Sequence, residues 1–313
     1  MHRIVIVCMS LGLLSLSSAS ARDAPRGPAD PRDRHAELRR DVDAMTARLD
    51  RQRPTSQQVI ADAQRLTSGY RSLVPFARSF GPADYALNIE IARRSLQWLA
   101  RATGLFGRDP LVASAFLRSY DAIGGFYSDH GPFYRPGAFV AFAGASRLAR
   151  RLVLDGRDSS RFERELERFA LAYGTLAAFN GALQTPWTVP NDLPQSEPPR
   201  TEPMAALQQV ELPDVDITKL DAEQKAAWME VRDRFRTVSP RVYTARVLLN
   251  ELAERLQRQQ FALHPVDAAN ALKMQGYLED AVDLVREGRF DTAIEALTRA
   301  DYVRTKLKSV TGQ

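Results

Sequence analysis

GAFVAFAGASRLARRLVL, residues 137–154, decides the fold. Wound at 3.6 residues per turn it is apolar nearly all round, and a helix of that kind has to be enclosed by others. No run of alternating β-branched residues bounded by turns occurs anywhere in the chain, so no sheet is at hand to enclose it. The stretch predicts the central helix of an all-α protein, an irregular helical bundle.

Its neighbours along the chain supply the enclosing faces. Asp109-Pro110 is a cap and first position for a helix carrying Leu111, Ala115, Phe116, Tyr120 and Ile123. On the other side, Ser160 and Glu163 read as a cap for a helix with Phe162, Leu166, Phe169, Tyr173, Leu176 and Phe179 at steps of three and four. Thr55 and Gln58 form a capping-box pattern ahead of Val59, Ile60, Ala63, Leu66, Tyr70 and Leu73. Gly81-Pro82 breaks the chain, and the next helix shows Leu87, Ile91, Leu96 and Leu99 before stopping at Gly104 to Gly107. Residues 54–184 are thus a helical domain. Before it, 22–53 is a charged segment in which Leu38, Val42, Met45 and Leu49 form one apolar stripe, a helix to be packed on the domain behind it.

Residues 185–220 differ in kind. TPWTVPNDLPQSEPPRTEP (185–203) holds six prolines in nineteen residues, and proline fixes φ and removes a backbone donor. The segment reads as an acidic linker, either lying across a basic helical surface or moving freely. The C-terminal helical region, 221–313, opens with Asp221 as a cap for Trp228, Val231 and Phe235, and Ser239-Pro240 is expected to interrupt that helix. Val242, Val247, Leu248, Leu252 and Leu256 then share one broad face, and His264-Pro265 turns the chain into the closing helices, the histidine capping or lying at the surface.

Within AVDLVREGRFDTAIEALTRA (281–300), Gly288 makes a turn, Phe290 follows, and Ala293, Leu297 and Ala300 alternate small, large and small. Small residues at those steps let antiparallel helices approach closely. With Tyr277, Ala281 and Leu284 on the preceding helix, about residues 267–302 resemble one partial unit of the tetratricopeptide repeat family. The family's first-helix Trp and Leu-Gly pair are missing, and no second copy occurs in the chain. The resemblance implies a helical hairpin and a protein- or peptide-binding role, and transfers no ligand residue.

The chain begins MHRIVIVCMSLGLLSLSSASARDAP, with one Arg, an apolar run from Ile4 to Leu16 and the small-x-small exit Ala19-Ser20-Ala21. That order is a secretory signal peptide, 1–21, and its thirteen-residue run falls short of the about 20 a bilayer span needs. The expected location is periplasmic or secreted, with no membrane span after removal of the signal. Cys8, the one cysteine, lies inside the signal, so the mature chain has neither disulfides nor thiol chemistry. The net charge of +5 comes from 38 Arg and 5 Lys that interleave with acids, as in RFERELERF (161–169), without the one-sided clustering nucleic acid requires. No nucleic-acid partner is expected. The histidines lack metal-ligand spacing, and neither a phosphate loop nor a nucleophile elbow is present, so no cofactor and no metal are expected.

One stretch carries candidate chemistry. From Phe126 to Phe142 there are six aromatics in seventeen residues, interspersed with Gly124, Gly125, Gly131, Pro132, Pro136 and Gly137, which predict an irregular corner. As an active site, Asp129 and His130 are the catalytic candidates, with Tyr127, Tyr134 and Arg135 lining a pocket for a sugar or peptide. As structure, rings fill the corner between two apolar helices, and adjacent side chains diverge too much for Asp129 to orient His130. Two functions follow: a non-enzymatic binding or scaffold component of the cell envelope with protein or peptide partners, or a helical envelope hydrolase of glycan or peptide acting at the corner.

Overall fold

A computed structural model of the chain describes residues 31–51, 53–79, 85–129, 135–180 and 209–307. The signal-like residues 1–21, the candidates His130 and Tyr134, the Gly81-Pro82 break and the proline-rich stretch 185–203 lie outside the described residues. Among those described, nine α-helices and no strand occur: α1 (Pro31–Arg51), α2 (Ser56–Leu73), α3 (Tyr85–Phe106), α4 (Pro110–Asp129), α5 (Arg135–Leu154), α6 (Ser159–Asn180), α7 (Ala222–Arg258), α8 (Pro265–Arg286) and α9 (Phe290–Thr305). No helix among them is long and apolar enough to cross a membrane.

The all-apolar stretch is α5, and it is enclosed: α4 and α6 flank it, and α3, α8 and α9 also touch it. From there the packing continues in a chain of neighbours, α2 on α4, α1 on α2 and α3, α6 on α8, α8 on α9 and α9 on α7. One apolar cluster runs through all of them, from Leu38 in α1 to Leu307 after α9. The stripe Leu38, Val42, Met45 and Leu49 is buried in it. Local signals fix several starts. Thr55 and Gln58 form the reciprocal capping box of α2, as Asp221 and Gln224 do for α7. Asp109 Oδ1 accepts from the Leu111 amide at 2.8 Å ahead of α4, and His264 Nδ1 accepts from Val266 at 3.3 Å ahead of α8.

The structure departs from the expected pattern in several places. Regular helix persists through Gly124 and Gly125 to Asp129 and is present again from Arg135, on both sides of the undescribed residues 130–134. The glycines are notches, not turn formers. A Cβ on Gly124 would collide with the Phe142 ring, one on Gly144 would lie 2.8 Å from the Tyr120 ring, and one on Gly137 would lie 3.2 Å from the Tyr127 ring. Each removes a methyl so that an aromatic of the facing helix can seat, which brings α4 and α5 together. Likewise α6 starts at Ser159 ahead of the expected Ser160 cap, whereas α3 ends at Phe106, within the expected Gly104 to Gly107 stop.

Pro240 does not interrupt: α7 runs 37 residues through it. The proline forfeits one backbone hydrogen bond, but Val238 and Val242 on either side are buried and hold the flanking turns against the core. The buried face of α7 is also rotated from the expected one. Leu248 is exposed and Val247, Leu252 and Leu256 are half-buried, while Val242, Ala245, Arg246, Leu249, Asn250 and Ala253 face inward. Finally, the end of the linker is not loose: Val210, Leu212, Val215 and Leu220 pack against the core, and Ile217–Lys219 makes a 3-10 turn that Asp216 caps through the Thr218 amide at 3.1 Å.

Candidate functional site

Of the corner residues, Tyr127 is in the core. Its hydroxyl donates to the Asn88 carbonyl at 2.9 Å, and its ring stands edge-on to Phe126 and Tyr70 with centroids 5.0 and 5.9 Å apart. Asp129 is the exposed last residue of α4. Arg135, which opens α5, is half-buried and, among the described candidates, borders a cleft of about 390 Å³ with Ser128, Phe142, Ala172, Thr175 and Leu176. Both hydroxyls there have committed their hydrogens: Ser128 donates to Gly124 at 2.7 Å and Thr175 to Leu171 at 2.9 Å. They can only accept. The cleft therefore offers an apolar floor, a guanidinium and two acceptor oxygens, a set that binds and does not by itself move protons.

A larger cleft, of about 520 Å³, lies between α7 and α9 and was not foreseen from the sequence. Glu230, Asp233, Arg234, Thr237, Val238 and Arg241 line it from α7, and Thr298 and Asp301 from α9. The two helices run in the same direction here, since Trp228 packs on Phe290, Arg234 meets Thr298 and Arg241 approaches Asp301. Arg234 donates to Glu230 at 2.9 Å and to Thr298 at 2.7 Å, while Arg241 stays 3.9 Å from Asp301. Charges of both signs and a hydroxyl thus line an open trough. The Glu230–Arg234 spacing of four was legible as a helix pair. Its place opposite α9 was not.

Charge also enters the core, chiefly around α8. Arg150 of α5 donates through Nε to Asp280, with the pair 3% and 0% exposed. Gly276 makes room for it, because a Cβ there would strike the guanidinium. Burial acts to lower the Arg150 pKa, and the Asp280 charge and hydrogen bond outweigh it, so the net shift is upward. Lys273, also buried, donates to both Glu167 oxygens at 2.7 Å. Arg246 of α7 is different: it is 4% exposed, its Nε is sealed without a hydrogen bond, and burial pulls its pKa down by more than Tyr173 and Glu279 raise it. The phenols of Tyr70, Tyr120 and Tyr173 are pushed up to about 12, first of all by burial. Among the described residues, no three of His, Cys, Asp and Glu gather as a metal site would require. In comparisons with known proteins, no family model, curated protein or solved structure matches the chain.

Proposed function

We propose that this protein is a non-enzymatic helical component of the cell envelope that binds proteins or peptides, with the α7–α9 cleft as its recognition face. The observation that supports this reading is that cleft: open, about 520 Å³, lined by both charge signs and bordered by the hairpin of α8 and α9. An extended polar peptide finds there donors and acceptors at helical spacing. The likeness of residues 267–302 to a tetratricopeptide unit points to the same role, and the N-terminal signal pattern supports export. Affinity capture from an envelope extract tests it, with wild type against the charge-reversed Arg234→Glu and Asp301→Arg. A partner retained by wild type and lost by both variants is expected, and retention should weaken with salt because the groups are solvent-exposed. Equal retention by all three proteins, or none above background, refutes the assignment.

A second reading, a glycan or peptide hydrolase at the corner, draws support from the cleft lined by Arg135 and by Ser128, the residue before Asp129 in the chain. It requires that His130→Ala and Asp129→Asn abolish hydrolysis of cell-wall glycan or peptide while the helical content is kept. Unchanged turnover in both variants rejects it.

A further inference from the structure

Three cations are buried around α8, and two of them are neutralised by a carboxylate in contact, Arg150 by Asp280 and Lys273 by Glu167. The third, Arg246, has no carboxylate within ion-pair distance among the described residues, and no hydrogen bond from its Nε. An uncompensated buried guanidinium is costly, and chains of this kind ordinarily pair it. One turn further along the same face of α7, Asn250 is also buried, with its Oδ1 sealed and unbonded. Two neighbouring inward polar atoms, Arg246 Nε and Asn250 Oδ1, sealed from water without hydrogen bonds, mark a place where something else completes the bonding.

We infer that Arg246 and Asn250 form a binding site for a small carboxylate on the inward face of α7, which packs against α8. The chemistry selects that class. A guanidinium presents parallel N–H groups that match the two oxygens of a carboxylate. Turning the Asn250 amide over replaces its orphaned oxygen by an NH₂ that donates to the same ligand. Glu279 on α8, whose charge reaches Arg246, disfavours a dianion, and the phenol of Tyr173 on α6, held neutral, adds no charge.

Thermal unfolding of the full chain in sodium acetate, with ionic strength held constant by sodium chloride, is the test. At ten times the dissociation constant the folded state gains about elevenfold over the unfolded, so the wild-type Tm should rise with the logarithm of acetate concentration, by about 3 to 6 °C at that point. Arg246→Met should show no acetate response. Asn250→Asp supplies a built-in carboxylate one turn from Arg246 and should melt above wild type in chloride alone, indifferent to acetate. A peptide free acid, N-acetyl-triglycine, is run beside its amide. Action of the acid at lower concentration than acetate assigns the site to a chain terminus, and action of acetate alone assigns it to a free small carboxylate. A wild type that ignores both acids, or an Arg246→Met that responds equally, overturns the proposal. Should Arg246→Met not fold, wild type and Asn250→Asp decide: no acetate shift in the first, or a persisting shift in the second, overturns it.

Discussion

Replacing Asp280 by Ala leaves Arg150 charged, buried and without its counter-ion. Both groups are almost wholly out of water, at 3% and 0% exposure, so solvent cannot take the place of the missing carboxylate. Breaking a buried pair from one side costs about 3 to 5 kcal/mol. The lower end applies here, because the Tyr277 ring, 5.6 Å from the guanidinium carbon, and the charge of Glu279 still favour the cation. At about 2 to 4 °C per kcal/mol for a domain of some 150 to 250 residues, Tm should fall by about 6 to 12 °C. Far-ultraviolet circular dichroism during heating and in urea reads it directly. The apolar double replacement, Arg150→Met with Asp280→Leu, removes both the attraction and the desolvation penalty and should lie within about 1 kcal/mol of wild type or above it. A single Asp280→Ala that costs under about 1 kcal/mol, or a double variant no more stable than the sum of the singles, refutes this account of the pair.

Neighbouring glycines should respond with opposite sign: Gly125→Ala, with open space around its Cβ, should gain about 0.5 to 1 kcal/mol, whereas Gly124→Ala, which meets the Phe142 ring, should lose about 1 to 3 kcal/mol in urea unfolding. Pro240→Ala restores an amide to the interior of α7 and should stabilise by about 1 to 3 kcal/mol, read as a rise in Tm. In alkali, a phenol raised from 10.0 to about 12 by folding stabilises the protein fully below pH 10 and loses that contribution as the pH climbs through 12. Three such tyrosines, at about 3 kcal/mol each, should ionise only together with loss of helicity above pH 10, when ultraviolet absorbance and circular dichroism are followed in one titration.

The helices were legible where the signal is local. Leu38, Val42, Met45 and Leu49 lie on one face whatever they touch, and the Thr55–Gln58 box needs only its own turn. The corner misled because a glycine has two uses that look alike in one sequence. Gly124 and Gly137 could have supplied unusual φ, but each instead leaves room for a ring on the facing helix, and which use holds depends on Phe142 or Tyr127, well beyond the glycine's own turn. Pro240 misled for a related reason. Its penalty of about 3 kcal/mol is local, while the burial of Val231, Phe235, Val242 and Leu249 that offsets it is tertiary.

The rotation of the buried face of α7 carries the same lesson into the site. Val247, Leu248, Leu252 and Leu256 are the larger apolar residues, and a stripe drawn through them leaves Arg246 and Asn250 on the solvent side. Yet α7 is fixed from its N-terminal half, where Trp228 meets Phe290 and Val231, Phe235 and Val238 are buried. Carried forward at 3.6 residues per turn, that face arrives at Val242, Ala245, Leu249 and Ala253, and it takes Arg246 and Asn250 inward with it. Reading Pro240 as a break discarded this phase relation, since two separate helices can rotate independently and one continuous helix cannot. Had the helix been kept whole, an arginine and an asparagine four residues apart on an apolar face would have stood out as groups in need of a partner. The half-burial of Leu252 and Leu256 and the exposure of Leu248 are then what a rigid rod accepts in order to place those two polar groups inside.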